Sequence, residues 1–227
     1  MQPLVRRSIM KIGIIGAGHI GATLTRRFAA VGHDVAVANS RGPETLADLA
    51  AETGARAVPV TEAAAGAEVV VVTIPEKAIP ALPDGVLDGA APGAVIVDTG
   101  NYYPQRDGRI DAIEAGTTES RWVAEQLGRP VVKAFNTIQS QHLLEHGKPT
   151  GTPGRIALPV AGDDPAAKAV VIALMDEIGF DGIDAGPLDE SWRQQPGTPV
   201  YGADLDAEGA RRALAEASPE RPANMRA

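Results

Sequence analysis

The sequence predicts an α/β fold built on a doubly wound parallel sheet, with a small α/β extension at the C-terminal end. From Lys11 onward, short runs of β-branched residues alternate with alanine-rich stretches, which is the pattern of strands joined by crossover helices. Several of these runs are apolar at nearly every position, as is typical of strands covered by helices on both faces. The predicted strands comprise residues 12–15, 35–38, 69–74, 94–98 and 131–135.

Helical spacing and helix-end residues fill the intervals between the first strands. Apolar residues recur at helical spacing over residues 20–31, and Gly32 stands where a helix C-cap belongs. The dipeptide Gly42-Pro43 predicts the start of a second helix, because proline suits the first helical position. The first part of the chain therefore reads as repeated strand-helix units.

A smaller second unit is predicted after residue 136, where the alternation loosens. Residues 155–160 and 180–185 are strand-like, and Asp164 is placed to cap a helix between them. This region is too short for a long helical substrate domain. We predict a sheet domain over residues 11–136, a small C-terminal region over 137–217, and flexible ends at 1–9 and 218–227.

Composition and charge exclude several classes of function. The 227 residues carry a net charge of -8 with no clustered basic face, so nucleic acid is not expected as a partner. The absence of cysteine removes disulfides, thiolate metal sites and cysteine nucleophiles. The four histidines are widely scattered, and no metal site is predicted. No stretch approaches the roughly 20 apolar residues of a membrane helix, so we predict a cytoplasmic protein without membrane contact.

A glycine-rich turn follows the first predicted strand and opens the first predicted helix. Gly16, Gly18 and Gly21 form the G-x-G-x-x-G spacing, in which the first glycine permits a tight turn, the second a close approach to a pyrophosphate, and the third close helix-strand packing. His19 and Ile20 are expected to meet the pyrophosphate through their backbone. The His19 side chain is better explained as an exposed first-turn group than as a catalytic one. The motif predicts a dinucleotide site of the Rossmann type.

The end of the second strand indicates which dinucleotide binds. Asn39, Ser40 and Arg41 stand about 20 residues past the glycines, where NAD enzymes place a carboxylate for the ribose 2'-hydroxyl. A hydroxyl and a guanidinium suit a 2'-phosphate instead, so NADP(H) is the predicted cofactor. The alternative is that Arg41 is a solvated loop residue.

The ends of the later strands are expected to line the nicotinamide, because ligands of open α/β sheets lie beyond the carboxyl ends of the strands. The asparagines in this set fit either cofactor binding or turn formation, and Asp98 is expected to be a turn acceptor rather than a base. We predict no catalytic side chain. The predicted contacts are Thr73, Ile74, Pro75, Asn101, Ala134 and Asn136.

The chain resembles the NADPH-dependent reductases of coenzyme F420, a deazaflavin, and their bacterial relatives. The resemblance covers about residues 11–190 and is carried by residues 12–21, 39–41, 69–75, 132–137 and 161–164. The segment 133–137 also resembles the NADPH-flavin domain of transmembrane metalloreductases. What the family implies is direct hydride transfer between the nicotinamide and a stacked deazaflavin (F420) or flavin. The Gly-Ala-Gly-His turn and residues 139–142 depart from the family pattern, so the acceptor stays open.

The resemblance leaves several side chains without a fixed role. Lys133 either approaches an anionic ligand or is a strand-end charge in water. Trp192 and the pair Tyr102 and Tyr103 either form a stacking wall for a planar acceptor or serve core packing and dimer contacts.

Two other functions are consistent with the sequence. A short hydroxyacid or imine reductase would need a long C-terminal helical region carrying a general acid such as lysine. The chain offers neither plainly, because Lys168 is the only lysine after Lys148 and is expected at a surface position of a helix. A non-enzymatic NADP(H) sensor is the third possibility, because fold does not imply activity. A homodimer is expected, since the short second half would leave apolar surface uncovered.

Overall fold

The computed structural model of the protein describes residues 8–227, so residues 1–7 of the predicted flexible start lie outside the described residues. Six strands form one parallel sheet: β1 (Lys11–Ile15), β2 (Asp34–Ala38), β3 (Arg56–Ala57), β4 (Val69–Val72), β5 (Val95–Asp98) and β6 (Val132–Lys133). Their order in the sheet is β3-β2-β1-β4-β5-β6. The order reverses between β1 and β4, which is the switch point of a Rossmann fold.

Helices cover both faces of this sheet. The α-helices are α1 (His19–Ala30), α2 (Ala47–Thr53), α3 (Pro104–Asp107), α4 (Asp111–Glu114), α5 (Glu119–Leu127), α6 (Ser140–Glu145), α7 (Pro165–Glu177) and α8 (Ala207–Ala215). Short 3-10 helices occupy Pro43–Leu46, Val60–Glu62, Glu76–Ala81, Leu188–Gln194 and Ala223–Met225. Within β4, Val69 and Val71 join one core cluster while Val70 and Val72 join the other. The doubly wound architecture therefore follows from a strand that is apolar on both faces.

The C-terminal extension is a second, smaller α/β unit. Its parallel strands β7 (Ala157–Val160) and β8 (Asp181–Asp184) are connected through α7. An antiparallel bridge between Lys133 and Ala161 joins the end of β7 to β6. The extension is thus attached to the main sheet at the carboxyl end of its edge strand β6. The predicted fold class is confirmed.

Local signals in the sequence mark several element ends correctly. Gly32 has a φ of 96° directly after α1, and the Asp164 side chain caps α7 by accepting from Ala166 N at 2.8 Å. The predicted strand 131–135 ends early because Phe135 has a φ of 61°, outside strand geometry. The predicted strand 69–74 likewise ends at Val72, where the chain leaves the sheet toward Pro75.

The structure shows contacts for the C-terminal segment, whose flexibility stays a prediction, and few exposed apolar side chains. Residues 218–227 contact the main domain, for example through Arg221, whose Nη2 lies 3.4 Å from Glu119 Oε1. Among residues 8–227, Ile9 is the one large hydrophobic side chain recorded as exposed, so the uncovered apolar surface expected of the second half is not observed. The homodimer and the domain limits remain predictions. Within the same residues, no helix combines the length and apolar character needed to cross a membrane.

Gly13 provides a test of the packing on β1. A Cβ at this position would lie 2.1 Å from the Ala63 carbonyl oxygen, so we expect Gly13→Ala to lower the free energy of unfolding by about 1–3 kcal/mol. The exposed Gly89 is a matched control, because its Cβ would lie at an ordinary 3.4 Å from Ala65 Cα. Urea denaturation measures both variants. Equal stability of Gly13→Ala and Gly89→Ala would contradict the described packing.

Candidate functional site

The glycine-rich turn brings α1 into direct contact with the backbone of the sheet. Gly16 has a φ of 110°, and a Cβ there would lie 2.2 Å from the Thr73 carbonyl oxygen. A Cβ on Gly21 would lie 1.9 Å from the Gly16 carbonyl oxygen. Side chains are therefore excluded at both positions, as the motif predicts for the tight turn and for close packing of the first helix.

Gly18 differs from the other two glycines because the space that a side chain would occupy at this position is open. No atom stands within 4 Å of where its Cβ would be, and Gly18 and His19 are both exposed at the N-terminus of α1. Between α1 and α6, a pocket of about 430 Å³ is lined in part by Gly18, His19, Ser140 and Gln141. The open backbone at a helix N-terminus fits the diphosphate of a dinucleotide.

A short loop beyond β2 carries the residues expected to select NADP(H). The Asn39 side chain is used inside this loop: its Oδ1 accepts from Arg41 N at 2.9 Å, and its Nδ2 donates to Thr45 Oγ1 at 2.8 Å. Ser40 and Arg41 are exposed. The loop thus presents one hydroxyl and one guanidinium to the space beside the β1-β2 edge, and the residues present fit a 2'-phosphate.

The predicted contacts at the later strand ends fall into two groups. Thr73, Ile74 and Pro75 are partly exposed, and so is Asn101, whereas Ala134 is fully buried. The predicted contact between Ala134 and the cofactor would therefore require the residues that cover the Ala134 side chain to move. For Thr73, Ile74 and Pro75 the described surface already provides access.

Asn136 is held in a network that connects the main sheet to the extension. Its Nδ2 donates to Asn101 Oδ1 at 3.0 Å and to the Gln194 carbonyl at 2.6 Å, and its Oδ1 accepts from Gln194 Nε2 at 2.9 Å. Asn101 in turn donates to the Asn136 carbonyl at 3.0 Å. Both asparagines therefore fix the shape of the loops at the sheet edge, one of the two roles that the sequence left open.

A group of buried charges lies under the carboxyl ends of β4, β5 and β6, and we call Glu76, Asp98, Glu119 and Lys133 the buried ionic cluster. The Lys133 ammonium donates to the Gly100 carbonyl at 2.6 Å and lies 3.5 Å from carboxylate oxygens of both Asp98 and Glu119. Lys133 is fully buried, so the interpretation as a strand-end charge in water is wrong.

Asp98 organises the turn after β5, which confirms its predicted role as a turn acceptor. Its Oδ1 accepts from Gly100 N at 2.8 Å, and its Oδ2 accepts from Ser120 Oγ at 2.6 Å. A Cβ on Gly100 would lie 2.5 Å from Glu76 Oε1. A side chain at position 100 would therefore displace the Glu76 carboxylate.

Charge balance in the buried ionic cluster depends on protonation. Burial raises the pKa of Glu76 well above its usual 4.5, and the neighbouring Asp98 charge raises it further. Burial also raises the pKa of Glu119, against the opposing influence of Lys133 and Arg221. For Lys133, burial works to lower the pKa, but the surrounding carboxylates prevail and raise it. These shifts favour the charged form of Lys133 and the protonated form of Glu76.

Sequence reasoning missed the two glutamates of this cluster. Glu76 and Glu119 belong to a 3-10 helix and to α5, and neither stands in a motif. The burial of Lys133 could have been predicted from the sequence, because its neighbours Val132 and Ala134 are apolar within a predicted buried strand. A lysine in such a run predicts a buried cation, and hence carboxylate partners elsewhere in the chain.

The aromatic side chains do not form one stacking wall. Tyr102 is fully buried and its hydroxyl donates to the Gly108 carbonyl at 2.9 Å, so it packs in the core. The Tyr103 hydroxyl meets that of Tyr201, a residue of the extension. Trp192 stacks under the Arg193 guanidinium at 4.3 Å. Tyr103 and Trp192 remain partly exposed, and contact with a planar acceptor stays a prediction for these two alone.

Protonation of Glu76 predicts a pH dependence of stability. A folded-state pKa above the unfolded one stabilises the protein fully below the unfolded pKa, and this contribution is lost as the pH rises through the folded pKa. Relative to Glu76→Gln, the wild type should therefore lose up to about 1.4 kcal/mol of unfolding free energy per pH unit above pH 4.5. Denaturant unfolding at several pH values measures this, with the exposed Glu125→Gln as control. Parallel profiles for wild type and Glu76→Gln would show that Glu76 is ionised in the folded protein.

Comparison with known proteins identifies the family. A family model described as NADP oxidoreductase, coenzyme F420-dependent, matches residues 11–102. The crystal structure of the hypothetical protein SMa0349 from Sinorhizobium meliloti is 31% identical and superimposes with a TM-score of 0.70, covering 85% of this chain and 93% of that chain.

Two further proteins are similar to parts of this chain. A protein from Arthrobacter sp. FB24, described as an F420-dependent NADP-reductase, is 26% identical with a TM-score of 0.66, over 78% of this chain and 85% of that one. Protein YjhV of Escherichia coli strain K12 is 48% identical over 66 residues, which are 29% of this chain and 48% of YjhV, so the match spans about half of that curated relative. The chain therefore belongs to the family of coenzyme F420-dependent NADP oxidoreductases.

Proposed function

We propose that this NADP-dependent oxidoreductase transfers hydride between NADP(H) and a deazaflavin (F420) or flavin-like acceptor. The observation that carries the proposal is the pairing of an open Gly18 turn with the exposed Ser40 and Arg41 at the end of the adjacent strand. A diphosphate and a 2'-phosphate bound at these two places would orient the nicotinamide toward the carboxyl ends of β4 and β5.

Each part of the site has a separate task in this proposal. Backbone amides at the start of α1 receive the diphosphate, while Ser40 and Arg41 hold the 2'-phosphate. The partly exposed segment Thr73-Ile74-Pro75 lies against the nicotinamide, which supplies or accepts the hydride when bound. The rest of the chain positions the two rings in contact and excludes water from them, which direct hydride transfer requires.

The placement of Lys168 argues against the hydroxyacid or imine reductase alternative. Instead of the surface position expected, Lys168 is 7% exposed, and its ammonium lies 2.6 Å from Asp184 Oδ1 and 3.3 Å from the Gly186 carbonyl. These partners belong to the end of β8 and the turn that follows. Lys168 therefore connects α7 to that turn. Its ammonium group donates hydrogen bonds within the extension and does not face a substrate site.

Arg41 gives the test of cofactor selection. We expect Arg41→Ala to raise the Michaelis constant for NADPH by about 10- to 100-fold, the effect of losing a charge-assisted contact with the 2'-phosphate. The constant for NADH should hardly change, since NADH has no such phosphate. The exposed Arg211→Ala, on α8, is the matched control. Equal effects of Arg41→Ala on both dinucleotides would refute the assignment.

Acceptor turnover gives the test of the reaction. Mixing the protein with NADPH and F420, FMN, FAD or riboflavin should produce a loss of absorbance at the nicotinamide band with at least one of them. An unsubstituted imine and a keto acid that is reduced to a hydroxyacid are tested as substrates of the alternative function, and we call them the opposing set. Turnover confined to the opposing set would overturn the proposed acceptor class. Tight binding of NADP(H) without turnover of any compound would indicate a sensor.

A further inference from the structure

Two histidines from α6 and its C-terminal end meet one aspartate from the loop before α8. We call His142, His146 and Asp204 the histidine cluster. One potential ligand atom from each of the three lies within 4.8 Å of the others. His142 and His146 are four residues apart on α6 and its C-terminal end, so their side chains share one face of the helix. The two imidazoles stack with ring centroids 4.5 Å apart and an angle of 16° between their planes.

Asp204 approaches the histidines from the loop that precedes α8. Its φ of 47° lies in the left-handed region, a conformation that within residues 8–227 is otherwise adopted by glycines and Phe135. The Asp204 carboxylate forms an ion pair with His142 Nδ1. The loop is held in place by Gly202 N, which donates to the Thr137 carbonyl at 2.8 Å. An aspartate with a strained backbone thus makes direct contact with the imidazole.

The donor set matches a transition metal. Two imidazole nitrogens and one carboxylate oxygen suit zinc, which binds such atoms at about 2.0–2.2 Å in tetrahedral geometry. Tetrahedral ligands at this range lie roughly 3.3 Å apart, so binding would draw the three donors closer together and turn the two imidazoles out of their stacked arrangement. Three protein ligands leave the fourth position to water.

We propose that the histidine cluster binds one divalent transition-metal ion of the zinc type. The ion is held by His142, His146 and Asp204, with water as the fourth ligand, and nothing in the dinucleotide site contributes to it. Binding fastens the loop of residues 201–206 to α6. That loop carries Tyr201, whose hydroxyl meets Tyr103, so the metal stabilises one wall of the extension beside the sheet edge.

The experiment uses the full chain without a polyhistidine tag, stripped with EDTA and dialysed. Zn²⁺ is titrated by isothermal calorimetry in the absence of dinucleotide, and Co²⁺ is added as a spectroscopic probe. The variants are His146→Gln, which alters an exposed side chain, and Asp204→Asn, because asparagine tolerates a positive φ. The exposed Glu145→Gln on α6 is the matched control. Circular dichroism checks that each variant is folded.

We expect one Zn²⁺ per chain, with affinity lowered on the order of a hundredfold in His146→Gln and in Asp204→Asn. Glu145→Gln should bind like the wild type, and Co²⁺ should give the intense visible bands of a tetrahedral site. Zn²⁺ should also raise the melting temperature of wild type and Glu145→Gln alone. Absence of binding, or binding that survives His146→Gln unchanged, would show an ordinary His-Asp ion pair and overturn the proposal. Neither result bears on NADP(H), which is omitted.

Discussion

The contact between the Gly21 position of α1 and the Gly16 carbonyl is the constraint on which the rest of the structure depends. With 1.9 Å between a hypothetical Cβ and that oxygen, no side chain can stand there, and the helix can lie directly on the turn. The same turn is held from β2, because Gly16 N donates to the Ala38 carbonyl at 2.8 Å. The helix N-terminus and the end of β2 are therefore fixed relative to one another, and these are the two parts that a dinucleotide phosphate chain must span.

The buried ionic cluster performs the equivalent task on the other half of the sheet. Lys133 connects β6 to the turn after β5 through the Gly100 carbonyl, and to α5 through Glu119. Arg221, from the C-terminal segment, reaches the same Glu119 and also lies over the Tyr102 ring. Removing one partner of such a group would leave an uncompensated charge in the core, which costs far more than an exposed ion pair contributes. The β4–β6 side of the sheet edge is thus held by charges, whereas the β1–β2 side is held by close backbone packing.

The sequence predicts the features that depend on local chemistry. Alternating apolar runs locate the main strands, and the glycine spacing locates the turn that joins β1 to α1. Gly32 and Asp164 mark a helix end and a helix start because each acts through its own backbone or side chain. What fails is what depends on distant partners: the burial of Lys133, the short β3, and the meeting of His142 with Asp204. The sequence analysis treated the histidines as scattered and did not use the four-residue spacing of His142 and His146, and their partner Asp204 is about sixty positions away along the chain.

The features that the sequence predicts and those that depend on distant contacts lie in different parts of the chain. The family model matches residues 11–102, which contain the glycine turn and the Ser40-Arg41 loop but neither Lys133 nor the extension. Beyond that range, the sheet edge is shaped by contacts with the extension, through Gln194 on Asn136 and Tyr201 on Tyr103. In the reaction proposed above, the acceptor would enter at this edge, and the contacts with the extension would set the shape of its binding space. The first hundred residues would then determine the cofactor, and the later part of the chain would determine the acceptor.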